Sequence, residues 1–125
     1  MRFPPAFLDG LRDFNAGRFF EAHEAFEALL DEVEGDSRWD LLMALIQVAV
    51  GYHKAAGGYA GAARMLALGA EKLGAFADDA AGVDVAGLRR RVAQDLELLA
   101  GGASLRERLG VAPPRIRLRR ATRAG

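Results

Sequence analysis

Apolar side chains recur at steps of three and four between residues 14 and 34, and this spacing constrains the fold more than any other feature of the chain. Residues spaced in this way lie on one side of an α-helix and face a core. Asn15 and Gly17, which suit a tight turn, precede them and mark where the helix starts. The pattern predicts an amphipathic helix whose core-facing residues are Phe19, Ala22, Phe26, Leu29, Leu30 and Val33.

Two polar side chains lie at the margin of this apolar face. His23 and Glu27 are four residues apart, so they project side by side from one helix. One interpretation is a site for divalent Zn, Mn or Fe, although two ligands are too few and another helix must supply a third. The other interpretation is a partly buried pair that fixes the angle between two helices. Glu24 points to the more polar side and is a secondary candidate, as a base that activates water.

Residues 41–50 are apolar nearly all round a helix, which is typical of the central helix of a bundle. Gln47 is the polar exception, and a buried Gln requires a hydrogen-bond partner. We expect that partner to be the His23 and Glu27 pair or a helix carbonyl. His53 follows this run and is a further candidate metal ligand. Gln47 and His53 are six residues apart and do not share a helix face, so at most one of them completes a ligand set.

The whole chain predicts an all-α fold, a single-domain bundle of about five helices. The form Gly, any residue, aromatic, two residues, Ala begins at Gly17 and again at Gly57. This repetition suggests two helical hairpins of one type, followed by a fifth helix that Asp84 caps. We place the helical bundle at residues 1–110 and an extended or flexible Arg-rich tail at residues 111–125.

Two runs of the sequence resemble the DUF309 family, small all-α bacterial and archaeal proteins of unknown function. They are FNAGRFFEAHEAFEALL at residues 14–30 and LLMALIQVAVGYHKAAGGYAGAARML at residues 41–66. The family pattern is His-x-x-x-Glu followed by an aromatic residue, and His23 and Glu27 match it while Leu30 replaces the aromatic. The resemblance implies an all-α fold and a functional, metal-binding role for the His and Glu. It implies no particular activity.

Length and composition limit the classes of protein to which this chain can belong. A chain of 125 residues is long enough to bury a hydrophobic core without cross-links. The absence of cysteine excludes disulfides and thiolate metal sites. The N-terminal residues lack a signal-peptide core, and no segment reaches the roughly 18 to 20 apolar residues that span a bilayer. We therefore expect a cytoplasmic protein with no membrane partner. A homo-oligomer is compatible with the sequence.

The formal net charge is +0, but it is unevenly spread. Residues 1–50 hold ten acidic and four basic side chains, whereas residues 105–125 hold seven Arg and one Glu. In an extended tail, Ile116 and Leu118 would face the bundle while the alternating arginines face water or the acidic helices. We favour a docked tail. Nucleic-acid binding is the disfavoured alternative, because the tail has no aromatic residue for base stacking.

Three consecutive arginines, residues 89–91, lie near the start of the fifth helix. Positive charge is poorly placed there relative to the helix dipole. We interpret them as a solvated helix face.

Three functional classes follow from these features. The first is a metal-binding protein that uses His23 and Glu27. The second is a helical adaptor that binds a peptide or small ligand in a groove between hairpins. The third is a nucleic-acid-binding protein that uses its Arg-rich tail. The sequence names no substrate and indicates no enzyme class.

Overall fold

The expected all-α bundle is found in a computed structural model, which describes residues 2–119. Within these residues there are six α-helices where about five were expected, because the short segment after residue 105 forms a helix of its own. One-turn 3-10 helices lie at Leu30–Val33 and Ala80–Gly82. The six are α1 (Phe7–Asn15), α2 (Phe19–Glu27), α3 (Ser37–Gly57), α4 (Ala62–Leu73), α5 (Val85–Ala100) and α6 (Arg106–Val111).

Helix α3 is the centre of the bundle. It packs against both α2 and α4, while α1 packs on α2 and α5 packs on α4. None of its residues from 41 to 55 is exposed, in agreement with the apolar run in the sequence. Asp36 caps the helix, since its carboxylate accepts a hydrogen bond from the Arg38 backbone N–H at 2.8 Å. The pairing of α1 with α2 and of α3 with α4 corresponds to the two predicted hairpins.

Helix α2 is shorter than its apolar spacing predicted. It ends at Glu27, and the chain continues into the 3-10 helix. Leu29 and Val33 are nevertheless buried, whereas Leu30 is only half-buried. A spacing of three places residues on one face of a 3-10 helix as well as of an α-helix. The predicted burial was therefore right for most of the segment, and the predicted helical continuity was wrong.

Residues 113–119, here called the C-terminal strap, are extended and lie against the connection between α4 and α5. Val83 and Leu118 form an isolated antiparallel bridge. The Asp84 backbone N–H donates to the Arg117 carbonyl at 2.8 Å. Residues 120–125 of the expected tail lie outside the described residues, and the division of the chain at residue 110 stays a prediction.

The other side of the strap is attached to the end of α1. The Asn15 side-chain amide donates to the Ile116 carbonyl at 3.0 Å, and its oxygen accepts from the Ile116 N–H at 2.7 Å. Ile116 is 1% exposed, so it is a core residue as expected, but Leu118 is 40% exposed. The amide of Asn15 thus bonds the strap as a neighbouring strand would.

None of the helices in the described part of the chain has both the length and the apolar content needed to cross a membrane.

Two glycines allow α3 and α4 to approach closely. A Cβ on Gly51 would lie 2.7 Å from Leu66 Cγ and 2.9 Å from the Leu66 backbone nitrogen. A Cβ on Gly69 would lie 2.6 Å from Val48 Cγ2. Each helix therefore places a glycine against a branched side chain of the other. The backbones are too close for a methyl group at either position.

We expect Gly51→Ala to lower the free energy of unfolding by about 1–3 kcal/mol, because the new methyl group overpacks a contact with backbone. Gly110→Ala is the matched control: a Cβ there meets nothing within 4 Å, so the change should be neutral or stabilise α6. Urea unfolding followed by circular dichroism measures both. Equal stability of the two variants would contradict the proposed close contact.

Candidate functional site

A small pocket lies on the partly open side of α3, between α2 and the turn that leads to α4. Its volume is about 190 Å³. We call it the aromatic pocket. The residues that line it are Phe20, His23, Val50, His53, Lys54 and Tyr59.

The packing of α3 explains why the pocket lies here. Between residues 41 and 55, the half-buried residues Met43, Gln47, Val50 and Lys54 are separated by steps of four, three and four. Such steps follow one face of a helix. His53 is also half-buried and is three residues after Val50. The end of this single incompletely covered face forms the floor of the pocket.

Four aromatic rings follow one another round the pocket. The Phe20 ring centroid lies 4.8 Å from that of His23 and 5.3 Å from that of His53. The His53 ring in turn lies 5.7 Å from that of Tyr59. Phe20 is 46% exposed and Tyr59 is 59% exposed. Large apolar rings that stay exposed beside a hollow are typical of binding surfaces.

Gly57 makes room for the Tyr59 ring. A Cβ at residue 57 would lie 2.8 Å from Cδ2 of Tyr59 and still closer to its Cε2. The Tyr59 backbone N–H donates to the Lys54 carbonyl at 2.8 Å, which fixes the turn. The ring therefore lies back against the end of α3 and forms one wall of the pocket.

His23 is held in a defined orientation. Its Nδ1 bonds the Phe20 carbonyl oxygen, and since a carbonyl only accepts, Nδ1 carries the proton. Nε2 then faces the Glu27 side, 3.9 Å from the carboxylate Oε1. The His23 side chain is 16% exposed and that of Glu27 is 54% exposed. A neutral His23 offers a lone pair at Nε2. A protonated His23 has the Phe20 carbonyl beside Nδ1 and the Glu27 carboxylate beside Nε2.

The surroundings of this pair do not complete a metal site. Among residues 2–119, no group of three or more His, Cys, Asp or Glu side chains is placed to hold a metal ion. Zinc sites in proteins use three or four protein ligands. His23 and Glu27 supply two, so the described residues do not fit an enclosed metal ion. A divalent metal at this pair stays a prediction of the sequence.

The three secondary candidates occupy different environments. His53 lies in the aromatic pocket with His23, whereas Glu24 is exposed and outside its lining. The side-chain oxygen Oε1 of Gln47 is buried and has no hydrogen-bond partner within residues 2–119. The expectation that the Gln47 side chain is bonded was therefore wrong for its acceptor oxygen.

The polar groups of the aromatic pocket favour an anion. Lys54 is the cation of the lining, and the His53 imidazole can donate a hydrogen bond. None of the six lining residues carries a carboxylate. A ligand with an acidic group and a flat or apolar body matches this combination.

A buried ionic cluster elsewhere in the bundle was not anticipated from the sequence. Asp95 on α5 is 0% exposed. Its carboxylate accepts hydrogen bonds from the Tyr52 hydroxyl, from Arg91 Nε at 2.8 Å and from Arg108 Nε at 2.7 Å. Residue 91 was expected on a solvated face, but its side chain is only 18% exposed. The expectation was wrong for this residue because its charge neutralises a buried acid.

The cluster joins three helices that are distant in the chain. Tyr52 and Asp95 are separated by 43 residues, and Arg108 lies a further 13 residues on. No spacing in the sequence brings these residues together, apart from the four-residue step between Arg91 and Asp95. With its acid fully buried and bonded to three partners, the cluster braces α3, α5 and α6.

Comparison with known families places the pocket in a recognised domain. Residues 7–66 match the family model described as a domain of unknown function, DUF309. These residues form a DUF309 domain. No curated protein matches the chain. The DUF309 region includes all six pocket residues and ends before Asp95 and the strap.

The buried Tyr52 makes stability depend on alkaline pH. Burial, and then the hydrogen bond to Asp95, raise the pKa of Tyr52 well above its usual value near 10. A pKa raised in the folded state stabilises the fold fully below the unfolded value and loses that contribution as pH rises above it. We expect the wild type to lose stability steeply above about pH 10. We expect Tyr52→Phe to be less stable by about 1–3 kcal/mol at pH 7 but to lose less above pH 10.

Urea unfolding at a series of pH values from neutral to strongly alkaline measures this difference. Tyr59→Phe is the control, since Tyr59 is exposed and should leave the alkaline slope unchanged. If the free energy of unfolding changed equally with pH in the wild type and in Tyr52→Phe, the predicted role of the Tyr52 hydroxyl would be wrong.

Proposed function

We propose that this DUF309 protein binds a small organic acid in the aromatic pocket. The observation that supports the proposal is the combination of four rings and one ammonium group round a hollow whose lining has no carboxylate. The acid group would bind Lys54 and His53, and the body of the ligand would lie between Phe20 and Tyr59. The proposal assigns no reaction.

The energetics of the pocket support a ligand that is both apolar and charged. Covering the exposed parts of Phe20 and Tyr59 removes apolar surface from water, at about 25 cal/mol for each Å². A charge-assisted hydrogen bond from Lys54 adds roughly 1.5–3 kcal/mol when it is shielded from solvent. Neither contribution alone makes a specific site, because the rings accept many apolar groups and an exposed ammonium attracts any anion.

The size of the pocket limits what can enter. Its volume of about 190 Å³ is smaller than the roughly 300–1,000 Å³ of typical ligand sites. We expect a ligand of the size of a single ring with one acid group. A peptide could place only one residue here, so the adaptor interpretation would require recognition of a C-terminal residue and its carboxylate.

His23 would contribute at the inner wall of the pocket. The bond from its Nδ1 to the Phe20 carbonyl fixes the ring and leaves Nε2 facing the Glu27 side. The Glu27 carboxylate oxygen Oε1 lies 3.9 Å from that nitrogen. His23 therefore gives the pocket a wall of fixed position.

Benzoate is a suitable probe, and the chain has only two histidines through which to follow it. We expect titration with benzoate to shift the ring-nitrogen signals of His23 and His53 in long-range 1H–15N spectra. Lys54→Gln should weaken binding about tenfold, as expected for the loss of one partly exposed charge-assisted hydrogen bond. Benzyl alcohol, which lacks the charge, should bind the wild type and Lys54→Gln equally weakly.

Lys72→Gln is the matched control, because Lys72 is the other lysine of the chain and is exposed on α4. It should bind benzoate as the wild type does. A benzoate titration that leaves both histidine spectra unchanged would contradict the proposed pocket. An equal loss of benzoate affinity in Lys54→Gln and Lys72→Gln would contradict the role of Lys54. Binding of a peptide that ends in Phe, without binding of benzoate, would favour the adaptor.

A separate measurement tests the metal prediction. Because His23 and Glu27 supply only two ligands, we expect Zn²⁺ and Mn²⁺ to change the melting temperature of the wild type and of a His23→Ala/Glu27→Gln variant by the same amount. Differential scanning fluorimetry of untagged protein measures this. A metal-dependent stabilisation of the wild type that the double variant loses would instead support a metal site at this pair.

A further inference from the structure

The strap presents its arginines outwards. Ile116 is buried, and in an extended segment its neighbours Arg115 and Arg117 must point to the opposite side. Both are exposed. The backbone of the strap, not its charge, holds it in place, since Asn15 bonds Ile116 and Asp84 bonds the Arg117 carbonyl. The arginine side chains are therefore available to a partner while the strap stays docked.

Arginines from two helices join them. Arg115 and Arg117 line a shallow hollow of about 810 Å³ with Arg12 of α1. They also line a second hollow, of about 380 Å³, with Arg90 and Arg91 of α5. The two hollows lie on either side of the strap and share its arginines. We call this continuous area the strap surface.

The strap surface carries an excess of positive charge. Its lining holds the five arginines named above and one acid, Asp84. The Asp84 carboxylate already accepts from the Gly87 N–H at 3.0 Å and lies 3.6 Å from Arg119. Arg91 is committed to the buried Asp95. Arg12 lies 3.5 Å from the Asp9 carboxylate, but both side chains are more than 70% exposed and such a surface pair is weak. Arg12, Arg90, Arg115 and Arg117 are thus the four cations that a polyanion can meet.

The larger hollow also has apolar surface between its charges. Leu8 and Leu118 line it together with the arginines, and they are 41% and 40% exposed. Guanidinium groups bind phosphate in a forked geometry and also stack on flat rings. A partner with regularly spaced phosphates and flat apolar bases would use both properties of this surface.

We propose that the strap surface binds the phosphate backbone of single-stranded nucleic acid without sequence preference. Phosphates contact the four arginines, and bases lie against the apolar floor of the larger hollow. Docking of the tail and nucleic-acid binding, which the sequence presents as alternatives, are compatible because docking uses one side of the strap and binding uses the other. The surface is separate from the aromatic pocket, and the two proposals share no residue.

Binding of a fluorescein-labelled oligothymidylate of about 20 nucleotides, followed by fluorescence anisotropy, tests the proposal on the full chain. With four phosphate contacts to a single strand, the affinity should fall about 50-fold between about 50 and 200 mM salt. For Arg115→Gln/Arg117→Gln, two contacts remain and the same change of salt should weaken binding only about sevenfold. Both side chains are exposed, so this variant should keep the circular dichroism spectrum and melting temperature of the wild type.

Arg64→Gln/Lys72→Gln is the matched control, since it removes the same charge from exposed positions on α4. It should bind the oligonucleotide with the affinity and salt dependence of the wild type. Equal weakening by the two double variants would show a response to net charge alone and would overturn the proposal. No measurable binding at the lower salt, or tighter binding of poly-glutamate than of the oligonucleotide, would also overturn it.

Discussion

The packing of α3 on almost all its sides is the constraint on which the rest of the structure depends. A helix with apolar residues round its whole circumference must be covered by several others, and α2 and α4 cover most of it. Gly51 lets α4 approach α3 closely. The one remaining face is narrow, and its end supplies Val50, His53 and Lys54 to the aromatic pocket. The position of the pocket thus follows from what the bundle leaves uncovered.

Much of this arrangement could be predicted from the sequence, because it is local. The apolar run of α3 and the marginal position of His23 depend on spacing within one helix, and the structure places both of them as expected. The 3-10 continuation of α2 could not be predicted, since a step of three suits both helix types. The partners of Asp95 and of the strap were equally inaccessible, because they depend on how distant segments meet.

The same distinction separates His23 from Gln47. The neighbours of His23 are within its own helix, at Phe20 and Glu27, so its environment could be inferred from the spacing. Gln47 needed a partner from another helix, and its buried Oε1 has none in the described part of the chain. An unpaired buried acceptor costs roughly 1–3 kcal/mol. The bundle tolerates that cost on a face of α3 that is only half covered.

The two hairpins show how one turn pattern can serve either the core or a site. Gly17 and Gly57 each precede an aromatic residue by two positions, yet Phe19 is 4% exposed and Tyr59 is 59% exposed. The Phe19 ring packs on Phe14 and Tyr52, at 5.2 and 5.4 Å, because α3 covers the first hairpin. The second turn lies at the far end of α3, and its ring meets His53 at the surface. Residue 59 can therefore vary the shape of the pocket with little cost to the core, whereas residue 19 cannot change without disturbing it.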